Sequence, residues 1–540
     1  MSTPSISQRT RDFLATGNQF RLGSLVTESP NPSTHDLSQA CQQDLSRAVD
    51  LFKFVELDAL KTLKHTDSVA RDLVVSIERC FSQNRRVFLC GCGATGRLAL
   101  VLESIWRQAP KEGLLESVVA FTAGGDYALV RSLGVFEDRP DLGAKHLLDL
   151  GFQDGDMLIA ITEGGETPFV LGALDQATKS SRSDSWLFFC NPPDLLKKLV
   201  ERSRRAMENP GVKWHAFETD PMALTGSTRL QASSVLMAFV GACLREVATG
   251  QKASWIISEL FDRIAQMDPK VFIPLIEMES EAHLRGEFTL HRSRSAAMPV
   301  LTDTTERAPT FSLAPFESAF DEPTTETSSR TYLEIPRAAT SLEAWHHLLR
   351  RDPRPFIVPE GVRAPKVDLG ATVAFDFSDG VATRREKYGI STSTIIDIEF
   401  GDYDGTTPDP TLFFRGTRTT DGAERKYEVN VPASRDPLIR QSQMKYALNL
   451  QSTLTMGRIG RFHGNLMTFV RPTNNKLIDR ALRTLRILAL EDARATRDSA
   501  FEKTALSTND ESFLNAIFEA FDTVTADQPV ALKALEILKR

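Results

Sequence analysis

Residues 87–97 read V-F-L-C-G-C-G-A-T-G-R, and the fold of the chain turns on how this stretch is read. Residues 87–90 are four apolar residues in a row, the pattern of a short strand buried on both faces. Gly91, Gly93 and Gly96 break that strand, and residues 98–106 resume with helical spacing. Strand, glycine-rich turn and helix together aim free backbone N–H groups at one point, where the helix N-terminus adds partial positive charge. Glycine lets an anion approach the backbone with no Cβ in the way, and Thr95 adds a hydroxyl. The three glycines satisfy G-x-G-x-x-G, the spacing of a dinucleotide-binding turn. That spacing alone does not say which phosphate is meant.

Downstream the alternation continues. Residues 117–122, 156–161, 186–190 and 214–217 read as strands. Residues 126–133 and 145–150 read as short helices and 230–248 as a long one, and Pro168 suits a first helical turn. Such alternation specifies a parallel sheet covered on both faces, with ligand loops at the C-terminal ends of the strands. Upstream, residues 36–81 carry a helical apolar stripe, and residues 1–34, rich in Ser, Thr, Pro and Asn, read as an extended arm. The second half is less regular. Helix is expected at 257–284, strand at 287–290 and a long loop at 307–340. Further strands are expected at 356–358, 372–377, 394–400, 411–414 and 427–431, with polar turns at 402–409 and 416–425. Helices at 445–459, 476–492, 512–521 and 530–539 complete the chain. The fold class is α/β: two tandem doubly wound parallel-sheet units, the second degenerate, followed by a C-terminal helical region. The expected boundaries are an arm at 1–35, the two units at 36–250 and 251–475, and the helical region at 476–540.

A chain of 540 residues exceeds one compact core, and about three units are expected. Hydrophobic content of 41% and charged content of 25% are those of an ordinary globular protein. The net charge of -7 argues against a general nucleic-acid binder. Cys41, Cys80, Cys90, Cys92, Cys190 and Cys243 show no zinc spacing and read as reduced thiols in a reducing compartment. The first ten residues have no apolar signal core, and the longest apolar run, 235–244, is too short to span a bilayer. No metal, cofactor, nucleic acid or membrane is expected.

Several stretches, in one order, resemble the sugar isomerase (SIS) domain proteins, and within them the N-acetylmuramic acid 6-phosphate etherases and the glucokinase regulatory proteins. Residues 27–34 look like a T-E-x-x-N-P element, and residues 91–97 like a G-x-G-T-S-G-R loop. Ala123-Gly124-Gly125 and Glu137-Asp138 look like the A-G-G and E-D elements. Thr167-Pro168, Asn191-Pro192 and Thr225-Gly226-Ser227-Thr228-Arg229 follow. Ser452-Thr453, residues 464–467 and Asn475-Lys476-Leu477 resemble the C-terminal element. Residues 305–311 resemble an E-C-x-x-T-F stretch, with its glutamate at Glu306. At the corresponding place the first unit has Ile105, whereas the second unit's phosphate loop, residues 292–298, has no glycine. The resemblance therefore implies two tandem SIS-type domains that build one composite site, its twin lost.

It also implies the site residues. Gly93, Ala94, Thr95, Gly96, Arg97, Gly164, Thr167, Ser227, Thr228 and Lys476 would bind a sugar phosphate, fructose 6-phosphate-like or N-acetylmuramate 6-phosphate-like. For Ser227 and Thr228 the residue types fit a helix N-cap equally well. The sequence departs from the pattern at Ala94, where a hydroxyl residue is expected, at Gly164 for a serine, at Glu166 for a cation and at Gln231 for a lysine. Glu163 and Glu166 would oppose an anion by like charge. Glu137 and Glu306 would hold sugar hydroxyls in a regulator; in an etherase they would be base and acid. The resemblance implies a sugar-phosphate-binding regulator of a hexokinase- or glucokinase-like partner, in the cytoplasm and the nucleus, with an etherase-type lyase as the alternative.

Overall fold

The computed structural model describes residues 4–17, 22–401, 410–420, 422–507 and 509–540. The opening stretch is strand β1, Val87–Gly91, buried at every residue, and it feeds the helix Ala94–Gln108. β2 (Val118–Thr122), β3 (Met157–Ile161), β4 (Ser185–Phe189) and β5 (Val212–Ala216) complete a sheet in the order β2-β1-β3-β4-β5, parallel throughout. β2, β3 and β4 are likewise buried at every residue, which is why they read as unbroken apolar runs rather than alternating ones. The helix Gln231–Thr249 is long and apolar enough to cross a membrane by length and composition, but most of it is buried inside the fold.

The second sheet contains β6 (Phe288–Arg292), β7 (Thr331–Glu334), β8 (Thr392–Gly401), β9 (Thr411–Thr420) and β10 (Ala423–Pro432), in the order β10-β9-β8-β6-β7. Numbered within its own unit, each sheet has the strand order 2-1-3-4-5. β6 is parallel to β7 and β8, whereas β9 runs antiparallel to β8 and to β10. The expected second parallel sheet is therefore a mixed one. Its last two crossovers are replaced by hairpins, which need no covering helix.

Other expectations for this half are also corrected. The loop assigned to 307–340 begins inside the helix Ala297–Phe311 and ends with β7. Pro309 lies in that helix's last turn, where the helix stops at Ser312 with φ 51. Residues 372–377 are no strand. The helix Leu369–Val373 is capped by Asp368, and the Phe375 carbonyl accepts from Ser341 and Trp345 side chains, both at 3.0 Å. Residues 356–358 pair with no strand, and Phe356 packs on the His146 ring with centroids 4.6 Å apart. The turn expected at 416–425 is mostly β9 and β10; the one at 402–409 lies outside the described residues. The helix expected from 445 begins at Pro437.

The described residues of the arm form a helix and short 3-10 turns instead of an extended segment. The helix Ile6–Thr16 buries Phe13 in the cluster of the C-terminal helices, and Thr10 donates to Asn515 at 2.7 Å. Those helices are Asn475–Thr496, Ser499–Leu506, Glu511–Thr523 and Val530–Leu538. One continuous apolar core runs through both sheets, with Leu22 and Val470 at its ends in the chain.

Candidate functional site

The loop after β1 shows what its glycines are for. A Cβ on Gly91 would lie 2.3 Å from the Thr95 carbonyl oxygen, and one on Gly96 would lie 1.9 Å from the Thr122 hydroxyl. These two glycines let the helix pack against the sheet. Gly93 has φ +56 and open space where a Cβ would be. It is the helix N-cap and lines a cavity of about 610 Å³ with Cys92, Ala94 and Arg97. Thr95 and Gly96 do not line it. The Thr95 hydroxyl donates to the Cys92 carbonyl at 3.0 Å and accepts from the Cys92 N–H at 3.1 Å, so it closes its own loop.

Both units and the C-terminal region contribute to this cavity. From the first unit come Glu137, Ser227 and Thr228, from the second Glu306, and from the helical region Lys476 and Arg480. The helix Ala297–Phe311 carries Glu306 to within 3.6 Å of the Arg97 guanidinium. Arg97 also donates to the Leu129 carbonyl at 3.1 Å and to Ser132 at 3.3 Å, which fixes its direction. Lys476 stands between Glu137 at 3.5 Å and Glu166 at 3.6 Å, and Asn474 donates to Glu137 at 3.4 Å.

Neither Ser227 nor Thr228 caps a helix, since the next helix starts at Gln231 behind an uncapped Leu230. The Thr228 hydroxyl donates to Glu163 at 2.6 Å. The Ser227 hydroxyl is buried and has no partner among the described residues. Gly164 and Thr167 lie off the cavity. The Gly164 carbonyl accepts from Asn191 at 3.3 Å, and the Thr167 hydroxyl shares a 2.9 Å hydrogen bond with Thr162. Gln231 bridges Glu56 at 3.1 Å and the Ala223 N–H at 3.0 Å, an internal post rather than a ligand contact.

Burial pushes the Glu306 carboxyl up from its ordinary value, against the pull of Arg97 and Arg229. Burial also raises Glu163, with Glu28 adding to the effect. Burial alone would lower Lys476, but Glu137, Glu166 and Glu163 outweigh it and hold the ammonium charged. Asp138, behind Glu137, is pushed up to about 6 by burial and then by Glu137 and Glu166. The Cys92 thiol is raised well above its usual value by burial, so it is a wall of the cavity and not a nucleophile. Glu166 is held by Arg202 at 2.5 Å as well as by Lys476. The two carboxylates that would repel an anion are thus each engaged from within the chain.

Reading the sequence missed the clamp behind the cavity. Glu28 is buried, accepts from Arg480 at 2.7 Å and Arg483 at 2.9 Å, and packs against Gly226. Its signal was present in the element at 27–34, but nothing in that element says which cation it meets. Among the described residues, no group of three or more His, Cys, Asp or Glu side chains is arranged to hold a metal ion. Chemically, the cavity offers a helix N-terminus for an anion and, in its wall, Ser227 with a buried hydroxyl that has no partner among the described residues. It adds carboxylates from two units that can accept hydroxyl protons or exchange one.

Residues 70–178 match the family model described as the glucokinase regulatory protein N-terminal SIS domain. The N-acetylmuramic acid 6-phosphate etherases of Rippkaea orientalis and Crocosphaera subtropica are 30% and 31% identical to the chain over 215 residues. That is 39% of this chain and 64% and 65% of theirs, so the chain spans just under two thirds of these relatives' length. Among solved structures, the tagatose-6-phosphate ketose/aldose isomerase of Escherichia coli aligns with a TM-score of 0.42 at 10% identity, over 80% of this chain and 95% of that one. The glucosamine-6-phosphate deaminase of Thermotoga maritima aligns with a TM-score of 0.36 at 12% identity, over 75% of this chain and 95% of that one.

Proposed function

We propose that the chain, which is similar to the SIS-domain etherases and glucokinase regulators, binds a sugar phosphate in the cavity shared by its two units. One observation carries this reading: the N-terminus of the helix Ala94–Gln108, Ser227, whose buried hydroxyl has no partner among the described residues, and Glu306 of the other unit line a single cavity. The phosphate sits against the N–H groups of Gly93 and Ala94, with Ser227 donating and Lys476 adding charge. Glu137 and Glu306 accept from sugar hydroxyls. A thermal-shift screen with fructose 6-phosphate, fructose 1-phosphate, glucosamine 6-phosphate and N-acetylmuramate 6-phosphate tests it. A ligand at about 100 times its Kd adds roughly 2.7 kcal/mol; no shift with any of them refutes it.

The use of that binding is regulatory: the occupied chain modulates a sugar kinase. The sharing of Lys476 between Glu137 and Glu166 and the engagement of Arg97 by Glu306 favour a reversible sensor over an enzyme built to hold a dianion tightly. The match of residues 70–178 to the regulator model supports the same reading. A kinase whose activity is unchanged by the chain, with and without the sugar phosphate, would count against it.

A second reading is favoured by the raised Glu306 carboxyl and by Glu137 lining the same cavity. In an ether elimination Glu137 removes the proton beside a carbonyl-like carbon, the ether C–O bond breaks, and protonated Glu306 supplies the proton to the leaving oxygen. Release of lactate from N-acetylmuramate 6-phosphate, abolished by Glu137→Gln and by Glu306→Gln, would establish it.

A further inference from the structure

The loop after β6 stands at the same place in its unit as the loop after β1, although it is two residues longer before its helix begins. β1 ends at Gly91 and β6 at Arg292, and each feeds a helix of 15 residues, Ala94–Gln108 and Ala297–Phe311. Counted from the strand ends, Arg294 and Ser295 stand where Gly93 and Ala94 stand. In the first unit these two residues, Gly93 and Ala94, line the candidate cavity. In the second unit the N–H groups at these positions are occupied. Glu399, on β8, accepts the Arg294 N–H at 2.8 Å with one carboxylate oxygen and the Ser295 N–H at 2.7 Å with the other, which also takes the Ser295 hydroxyl proton. The Ser295 oxygen in turn accepts from the Phe400 N–H at 2.8 Å.

The sheet registers show where this carboxylate comes from. Cys90 of β1 is paired with Ala160, and His291 of β6 with Ile396. Three residues beyond those partners lie Glu163 and Glu399, the same position in the two units. Glu163 turns to Thr228 and leaves its loop open, whereas Glu399 turns into the loop. Beside Ser295 lies a cavity of about 360 Å³, lined also by Gln108, Phe400 and Arg350. Gln108 ends the first unit's helix. This cavity therefore lies between the units as the candidate site does, with loop and helix exchanged between them.

We propose that the second unit keeps a sealed copy of the anion cradle, with the Glu399 carboxylate as its resident anion, and that emptying it opens a site for inorganic phosphate or a phosphate monoester. A carboxylate that accepts two backbone N–H groups and a hydroxyl makes the same kind of contact that a phosphate makes at a helix N-terminus. Being tethered, it is present at an effective concentration that free phosphate does not match. The second site is filled from within, not merely eroded. The inference concerns the donors of the second loop and does not depend on what the first cavity binds.

The test is equilibrium dialysis of labelled inorganic phosphate against the full chain. Glu399→Ala is compared with the unaltered chain, and both are repeated in a Ser227→Ala, Lys476→Met background that disables the first cavity. The expected result is one more phosphate per chain in Glu399→Ala, with the gain kept in the second background. Equal numbers with and without Glu399 in both backgrounds would overturn the proposal, whatever the first cavity does. If Glu399→Ala does not fold in chloride, refolding in phosphate at matched ionic strength supports the proposal, and failure in both salts overturns it.

Discussion

The Ser227 hydroxyl is buried with no partner among the described residues, so removing it breaks no hydrogen bond seen there. Ser227→Ala should leave the melting temperature unchanged and weaken sugar-phosphate binding about tenfold, the worth of one hydrogen bond to a charged group. Calorimetric titration measures this, and unaltered affinity would remove Ser227 from the site. Gly96 makes the opposite demand. Gly96→Ala should cost roughly 1–3 kcal/mol by forcing a Cβ into Thr122, read from the denaturant midpoint. The glycines could be read from the sequence because the sterics of a strand-to-helix turn allow few other residues. Thr95 could not: a hydroxyl placed to meet a phosphate can equally close its own loop, and spacing does not choose between the two. Gly164 and Thr167 were carried by a motif that departs from its pattern at Gly164 itself and at Glu166.

Among the elements, the helix Asn475–Thr496 decides how the cavity is closed. It brings Lys476 to Glu137, and it brings Arg480 and Arg483 to Glu28. Burial would raise the Glu28 carboxyl, but Arg480 and Arg483 outweigh it and hold it at about 2. A carboxyl lower in the folded chain than in the unfolded one stabilises fully above its unfolded value and loses that contribution as pH falls through the folded one. Between about pH 4.5 and about pH 2 the clamp should therefore release. Hydrogen exchange along 475–496 should quicken before exchange in β1 and β3. Glu28→Gln should cost on the order of 3 kcal/mol and abolish most of that pH dependence; an unchanged acid profile would contradict the clamp. The helix itself was legible from its apolar stripe, but Glu28, Glu137 and Glu166, its ionic partners across the cavity, lie more than 300 residues away. β7 was hidden for a different reason: four residues in a polar stretch carry too little periodicity to stand out.

Across the whole molecule, the two units are joined through buried ions as well as by apolar packing. Asp303 of the second unit accepts from Arg229 of the first at 2.8 Å and also takes Arg307 at 3.1 Å, Asn449 at 2.9 Å and Ser452 at 2.8 Å. With one apolar core through both sheets, the two units should unfold in a single transition. Asp303→Ala should cost roughly 3–5 kcal/mol because it leaves the buried Arg229 guanidinium without its carboxylate, whereas Arg307 keeps Glu279. Two separate calorimetric transitions in the unaltered chain would contradict this. The pairing of an intact unit with a diverged one was legible, because a glycine-rich loop without its glutamate and a glutamate without its glycines complement each other. The hairpins of the second sheet and the Glu399 plug were not, since strand direction and a carboxylate's aim are set by tertiary packing and leave no local pattern.

One cavity, made by both units, is proposed to hold one sugar phosphate. Calorimetric titration of the hexose phosphates named above into the unaltered chain and into Glu306→Gln tests it most directly. One ligand per chain, weakened about tenfold when Glu306 of the second unit is changed, is the predicted result. A chain that binds none of them, or that binds with the same affinity after Glu306→Gln, would contradict it.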